Sequence, residues 1–250
     1  MSCLPEGYRE YTPASALRPY VACYWTYVAS PPVDRVVQRV LPDGCMDIVF
    51  DAFLAAFSEG VVVGTMTRPL LFRSAGPARM VAVRFRPGGA TSFLRCSAAE
   101  HTDARTELSA MWPDAHCVAR QIRAATRAER PVQRLESVLL SRLADAPPVD
   151  CRVREAVSLF GQRQCSVETV AAAVDVSRQH LVRLFRRHVG VGPKTFARVV
   201  RMRRLLARIR KIADATWTTA ALNAGYYDQA HMIAECRALT GLTPTELAQR

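Results

Sequence analysis

A chain of 250 residues, half of them hydrophobic and 22% charged, is long enough for two domains of ordinary size, each with its own core. Its 34 Lys and Arg against 22 Asp and Glu leave a net charge of +12. No stretch is apolar for long enough to span a bilayer, and the eight cysteines contain no C-x-x-C pair, which excludes a membrane-spanning protein, a disulfide framework and a zinc knot. The start Met1-Ser2-Cys3-Leu4-Pro5-Glu6 has no charged segment followed by an apolar run, so a cytoplasmic location is expected.

In chain order, residues 20 to 86 read as strands. Tyr24 to Val28, Val36 to Leu41, Met46 to Phe50, Val61 to Gly64, Leu70 to Phe72 and Met80 to Phe85 are short β-rich runs separated by Pro, Gly and Asp. They predict a small antiparallel barrel or sandwich. The pair Gly88-Gly89 reads as a strand-to-helix turn, with an anion cradle beside Arg84 and Arg86 as the alternative. Two helices follow, over 114 to 128 and 131 to 144; in the second, Val132, Leu135, Val138, Leu139 and Leu143 recur at helical spacing. That stripe either packs on its own domain or pairs two copies as a homodimer.

Ala146-Pro147-Pro148-Val149 reads as a stiff linker between residues 1–146 and 149–250. The fold class expected is α+β, a β-rich front half with trailing helices and an all-α rear half. Up to Pro148 there are 17 Arg against 14 acidic residues, and beyond it 17 Lys plus Arg against 8, so the halves carry +3 and +9. A basic module joined to a nearly balanced one is the profile of a nucleic-acid binder fused to a module of another kind.

The rear half contains two helix-turn-helix units. In the first, Ser166 caps a helix carrying Val167, Val170, Ala171 and Val174 at i, i+3, i+4, i+7. Asp175-Val176 forms the turn, Asp being tolerant of the left-handed conformation. Ser177 caps a second helix whose Leu181, Leu184, Phe185 and His188 face the core. Arg178, Gln179, Val182, Arg183 and Arg186 are left on the outer face. Arginine can bond both acceptors of guanine, glutamine can pair with adenine, and valine can touch a thymine methyl. The bland alternative is a solvated charged face.

The second unit runs Thr216 to Leu239, with Asp228 capping its second helix 51 positions after Ser177 and Gln229, Ala230, Ile233 and Arg237 facing outward. Between the units, Pro193 to Lys211 predicts a helix with Val199, Met202, Leu205, Leu206 and Ile209 buried. Its Arg198, Arg201, Arg204 and Arg208 either lie over phosphate or keep the helix soluble. Arg178, Gln179, Val182, Arg183, Gln229 and Ile233 are the base-contact candidates; Arg186, Arg187, Arg201 and Arg237 are the phosphate candidates.

The ordered set Ser177, Leu181, Arg183, Phe185, Gly190, Pro193, Phe196, Arg201 and Ala207 resembles the AraC/XylS family of bacterial transcription regulators. It continues through Ala221, Gly225-Tyr226, Asp228-Gln229, His231, Leu239-Thr240-Gly241 and Thr243-Pro244. The resemblance covers roughly the last hundred residues. It implies seven helices with two major-groove heads, binding to double-stranded promoter DNA, usually activation through RNA polymerase, and a place at the nucleoid. Two positions depart from the family pattern: Ala234 stands where an arginine is common and Cys236 where a phenylalanine is common. A second head that binds weakly is expected from both. Leu17-Arg18-Pro19-Tyr20-Val21, Leu41 to Asp47 and Val83 to Ala90 resemble the sensor-like front domain of one branch of the same family.

The front half shows no catalytic set. Its histidines, His101 and His116, both follow the strands, and neither a nucleophile triad nor a phosphate loop is present, so no enzyme activity, metal or cofactor is expected. Tyr24, Trp25, Tyr27, Arg84 and Arg86 are the effector-binding candidates for a small molecule. The alternatives are a thiol or alkylation sensor using Cys23, Cys45 or Cys117, and a front domain that only dimerises.

Overall fold

The computed structural model describes residues 7–29, 37–51, 59–73, 78–125, 129–162, 165–209 and 217–249. Cys3, Val36, residues 126–128, Lys211 and Thr216 lie outside the described residues, as does the side chain of Arg208.

The protein is β-rich in front and helical behind. Six strands form one antiparallel sheet in the order β1 (Tyr8–Tyr11), β2 (Val21–Ala29), β7 (Ala78–Phe85), β4 (Met46–Asp51), β5 (Val61–Val63) and β8 (Arg105–Glu107). A separate two-stranded sheet pairs β3 (Val37–Val40) with β6 (Leu70–Arg73). The period-2 alternation of the strands divides the large sheet into two unlike faces. One face carries Tyr24, Met46, Ile48, Phe50, Val62, Val81, Val83 and Phe85, all in the main apolar core. The register shift between Val21 and Cys23 brings Val21 onto that face with Tyr24. The opposite face carries Trp25, Tyr27, Met80, Arg84 and Asp47.

The apolar face is covered by α2 (Ala115–Arg123) and α3 (Glu129–Leu143), after the short α1 (Thr91–Leu94). Val118, Ile122, Leu135 and Leu139 pack into the sheet's core, each worth about 1.5–3 kcal/mol of transfer free energy. The stripe read as a possible dimer seam is therefore spent within the chain, where the homodimer reading needed it free. Strands β1 and β8 were not foreseen, because their four and three residues, Tyr-Arg-Glu-Tyr and Arg-Thr-Glu, show no apolar alternation. Gly88 has φ +89 and leads through Gly89 into α1, the strand-to-helix turn expected there.

Among the described residues, seven helices follow: α4 (Cys151–Gln162), α5 (Val167–Ala173), α6 (Arg178–Val189), α7 (Pro193–Ile209), α8 (Trp217–Ala224), α9 (Gln229–Thr240) and α10 (Pro244–Ala248). The first unit, α5 with α6, sits with α4 and α7 on a core where Phe160, Phe185 and Phe196 meet edge-to-face at 5.6–6.1 Å. The second unit, α8 with α9, packs Ala221, Ala224, Tyr226 and Met232 against Leu205 of α7.

Across the Pro-Pro segment, read as a stiff linker, the two halves touch. The Gly44 turn before β4 lies against the Phe196 ring, so a Cβ there would come within 2.6 Å of it. Thr65 donates to the Val189 carbonyl and Thr102 to the Gly190 carbonyl, both at 2.6 Å, at the end of α6. Arg39 donates to the Thr240 carbonyl at the end of α9 at 2.7 Å.

Candidate nucleic-acid interface

The first reading helix is built by local signals that agree. Ser166 accepts from the Thr169 amide to start α5, and Ser177 accepts from the His180 amide at 3.1 Å to start α6. Between them Asp175 takes φ +52 and Val176 returns its amide to the Ala171 carbonyl. α6 ends at Gly190, φ +94, whose amide reaches the Phe185 and Arg186 carbonyls. Leu181, Leu184, Phe185 and Val189 are buried. His188, expected on that inner face, is half-buried and instead meets Thr91 of the front half.

Arg178, Gln179, Arg183, Arg186 and Arg187 of α6 are exposed, and Val182 is half-buried among them. Arg178, Val182 and Arg186 line a groove of about 520 Å³ together with Val167 and Glu168 of α5 and Gly192, Pro193, Lys194 and Thr195 at the start of α7. Among the described residues that line the groove, Glu168 is the one acid. It holds Arg178 at 3.2 Å, and its carboxyl is drawn below the usual range by hydrogen bonds at its own amide and Ser166, with Arg178 adding less. Arg178 therefore has an internal partner to exchange when an anion approaches, whereas Arg183 projects farther along the helix.

The second unit repeats the plan with one residue added. In the first helices of the two units the buried alanines Ala171 and Ala221 lie 50 positions apart, yet the caps Ser177 and Asp228 lie 51 apart. The extra residue in the turn is Tyr227, which is 86% exposed. Asp228 accepts from the His231 amide at 2.7 Å, and Gln229, Ala230, Ala234 and Arg237 of α9 are exposed. Ile233, expected among the base contacts, is half-buried and packs against the second core. Cys236 is fully buried, with its Sγ 3.8 Å from the Thr240 hydroxyl.

One phosphate candidate is corrected outright. Arg201 points back into the protein: its Nε and Nη2 donate to the Glu235 carboxylate at 3.0 and 2.8 Å, and its guanidinium lies over the Tyr226 ring at 4.9 Å. A guanidinium engaged on its edge and one face is committed to α9 and keeps only 24% of its side chain exposed. Arg198 shares Glu235 at 3.1 Å, and Arg204 donates to the Phe160 carbonyl. Arg198, Arg201 and Arg204 thus tie α7 to other helices. Nothing in the local pattern marked Glu235, whose acidity is visible in sequence but whose burial depends on α7.

The effector candidates divide between the sheet faces. Tyr24 is fully buried in the main core, and Arg86 lies past the end of β7, donating to the Arg18 carbonyl at 2.8 Å, so both are removed from the set. Trp25, Tyr27 and Arg84 share the other face. There Tyr8 stacks on Trp25 at 5.7 Å, and Tyr27, Phe72 and Met80 complete a cluster apart from the main core. Trp25 donates through Nε1 to Asp47 at 2.9 Å, and Gln38 donates to the Tyr27 hydroxyl at 2.8 Å. Arg84 bonds Asp47 at 3.1–3.2 Å and Asp43 at 3.3 Å. Burial works against the Arg84 charge, but Asp47 and Asp43 outweigh it and hold the guanidinium protonated.

The thiol alternative loses its chemical basis at Cys23 in β2 and at Cys45 just before β4. Burial pushes the Cys23 thiol up to about 12 and the Cys45 thiol well above its ordinary value, the reverse of what a reactive thiolate requires. Among the described residues, no group of three His, Cys, Asp or Glu is placed to hold a metal ion, and no helix is long and apolar enough to cross a membrane.

Residues 150–250 match a helix-turn-helix domain family, and residues 9–107 match a domain of unknown function (DUF6597). No curated protein matches the chain. Among solved structures, an AraC-family regulator from Rhodopseudomonas palustris is 27% identical over 40% of this chain and 97% of its own, with a TM-score of 0.37. A regulator with an AraC-type DNA-binding domain from Chromobacterium violaceum is 26% identical over 39% of this chain and 89% of its own, also at 0.37. ToxT from Vibrio cholerae aligns with 98% of each chain at 7% identity and a TM-score of 0.45.

Proposed function

We propose that this chain is a DNA-binding regulator of the AraC type, with residues 1–146 and 149–250 as its sensing and reading domains. The reading domain binds an asymmetric promoter site with α6 in one half and α9 in the other. Arg178, Gln179, Val182 and Arg183 supply base contacts, with Gln229 in the weaker half, while Arg186, Arg187 and Arg237 hold phosphates. The observation that carries this is the outer face of α6: a helix capped at both ends, seated on an aromatic core, and presenting only cationic, amide and small apolar groups outward.

The sensing domain takes a small molecule on the Trp25 face of its sheet. The Tyr8, Trp25, Tyr27, Phe72 and Met80 cluster suits an apolar or aromatic body, and Arg84, already neutralised by two carboxylates, favours a hydrogen-bonding head group over a second strong anion. The expected outcome at the promoter is activation through RNA polymerase, in the cytoplasm.

Selection of duplexes from a random pool by the full chain tests the reading assignment. An enriched sequence with two unequal halves is expected. On it Arg183→Ala should cost about 1–3 kcal/mol and relax one base position. Equal loss on enriched and scrambled duplexes would make Arg183 a phosphate contact instead.

A further inference from the structure

Resting on the assignment of α6 and α9 as the two reading helices, we infer that Glu235 is a positioning residue that fixes α9 on the linking helix α7 and so sets the spacing at which the two half-sites are read. Glu235 lies on the reading helix itself, yet its side chain is only 5% exposed. Arg201 reaches both of its oxygens through Nη2 at 2.8 Å and adds Nε at 3.0 Å, and Arg198, one turn earlier on α7, donates at 3.1 Å. His231, one turn earlier on α9, places Nε2 3.6 Å from the same carboxylate. Arg201 also reaches the Gly225 carbonyl at 3.5 Å and covers the Tyr226 ring. One side chain of α7 therefore grips α9 and the turn that precedes it.

The first unit is joined differently. Seven positions after its cap Ser177 stands Leu184, as Glu235 stands seven after Asp228, and Leu184 packs into the apolar core that holds Phe160, Phe185 and Phe196. Apolar contact is non-directional and tolerates a helix that slides or rolls. A planar guanidinium on a carboxylate is directional and accepts one geometry. An apolar residue at 235 with apolar partners would stabilise the fold at least as well, so stability alone gives the buried ion cluster no advantage; holding one angle between α7 and α9 does. Half-sites read by two heads must be phased along the DNA helix, and that angle decides the phase.

The test uses the full chain and a duplex selected by it. Affinity is measured on that duplex, on duplexes with one or two base pairs inserted or removed between the halves, and on the first half alone. Glu235→Gln should weaken binding at the selected spacing roughly tenfold. Its loss at altered spacings should be smaller, so discrimination between spacings flattens while the first half alone binds as before. Arg198→Gln, which removes one arm of the cluster and leaves Arg201 in place, should flatten the profile in the same direction and carries the test if Glu235→Gln does not fold. Loss by one common factor at every spacing, or no change, would overturn the inference and leave DNA reading intact. Failure of the parent to enrich any duplex would overturn both.

Discussion

Arg183 and Arg201 carry the same side chain on neighbouring helices, and their surroundings differ sharply. Arg183 stands on the outer face of α6 with no buried acid on its own turn, whereas Arg201 finds Glu235 and the Tyr226 ring across the α7–α9 contact. The sequence shows both as off-stripe arginines and cannot tell them apart, because the acid that captures Arg201 lies 34 residues away in the chain. Local signals, by contrast, were readable where the physics is local. Asp175 was expected in a left-handed turn and has φ +52. Substitution by a β-branched residue tests that strain: Asp175→Val should destabilise the chain by about 1–2 kcal/mol, while Asp175→Gly should hold or raise stability. Chemical denaturation of the three proteins measures it, and equal stability of Val and Gly variants would show that the turn relaxes without cost.

At the scale of elements, the strongly periodic helices α6 and α7 and the caps Ser166, Ser177 and Asp228 were legible because the pattern and the capping chemistry sit within one turn of each other. The short strands β1 and β8 were not, since their pairing partners are distant and their sequences carry no alternation. The departures in α9 give a comparison between the two heads. Ala234 is exposed on α9, at the step from its cap that Arg183 occupies in α6. Ala234→Arg should therefore strengthen binding to the selected duplex and steepen the slope of log K against log salt by about 0.9 if one phosphate is engaged. Titrations at several salt concentrations read both. An unchanged affinity and slope would show that α9 does not approach DNA at this position, and the weaker-head argument would fall with it.

At the scale of the whole molecule, the Pro-Pro segment reads as a stiff linker, and nothing in local sequence signals the contacts between the two halves. Those contacts converge on helix ends. The last carbonyls of α6 and α9 have no intrahelical donors, and the front half supplies Thr65 to that of Val189 and Arg39 to that of Thr240, while Thr102 bonds the cap residue Gly190. Both α6 and α9 are thereby held from the side of the front half, and β3, which carries Arg39, also carries the Gln38 that bonds Tyr27. The double variant Thr65→Val, Thr102→Val removes two hydrogen bonds worth about 0.5–1.5 kcal/mol each. Calorimetry of the full chain should then resolve two unfolding transitions where the parent shows one. A single transition in both proteins would mean that the apolar contacts around Gly44 and Phe196 couple the halves without these bonds.

The same interface carries a proton-sensitive contact. His188 of α6 lies 3.3 Å from the Thr91 hydroxyl, and burial holds its imidazole below the ordinary histidine value. Asp150 pulls the other way, while Arg187 and Arg152 reinforce the shift. The neutral ring is thus the form that fits the docked state. Above the ordinary histidine value of about 6.5, His188 is neutral whether or not the halves are docked, and the contact is fully in place. As pH falls through that value the undocked or unfolded chain takes up the proton first, so stability is lost progressively, and the loss levels off once pH is below the depressed folded value. Thermal unfolding of the full chain between about pH 7.5 and 5.5 should show this loss, and His188→Gln, which keeps a neutral hydrogen-bonding group at the site, should flatten it. If parent and variant lose stability in parallel over that range, the proton is taken up elsewhere and the interface does not respond to pH through His188.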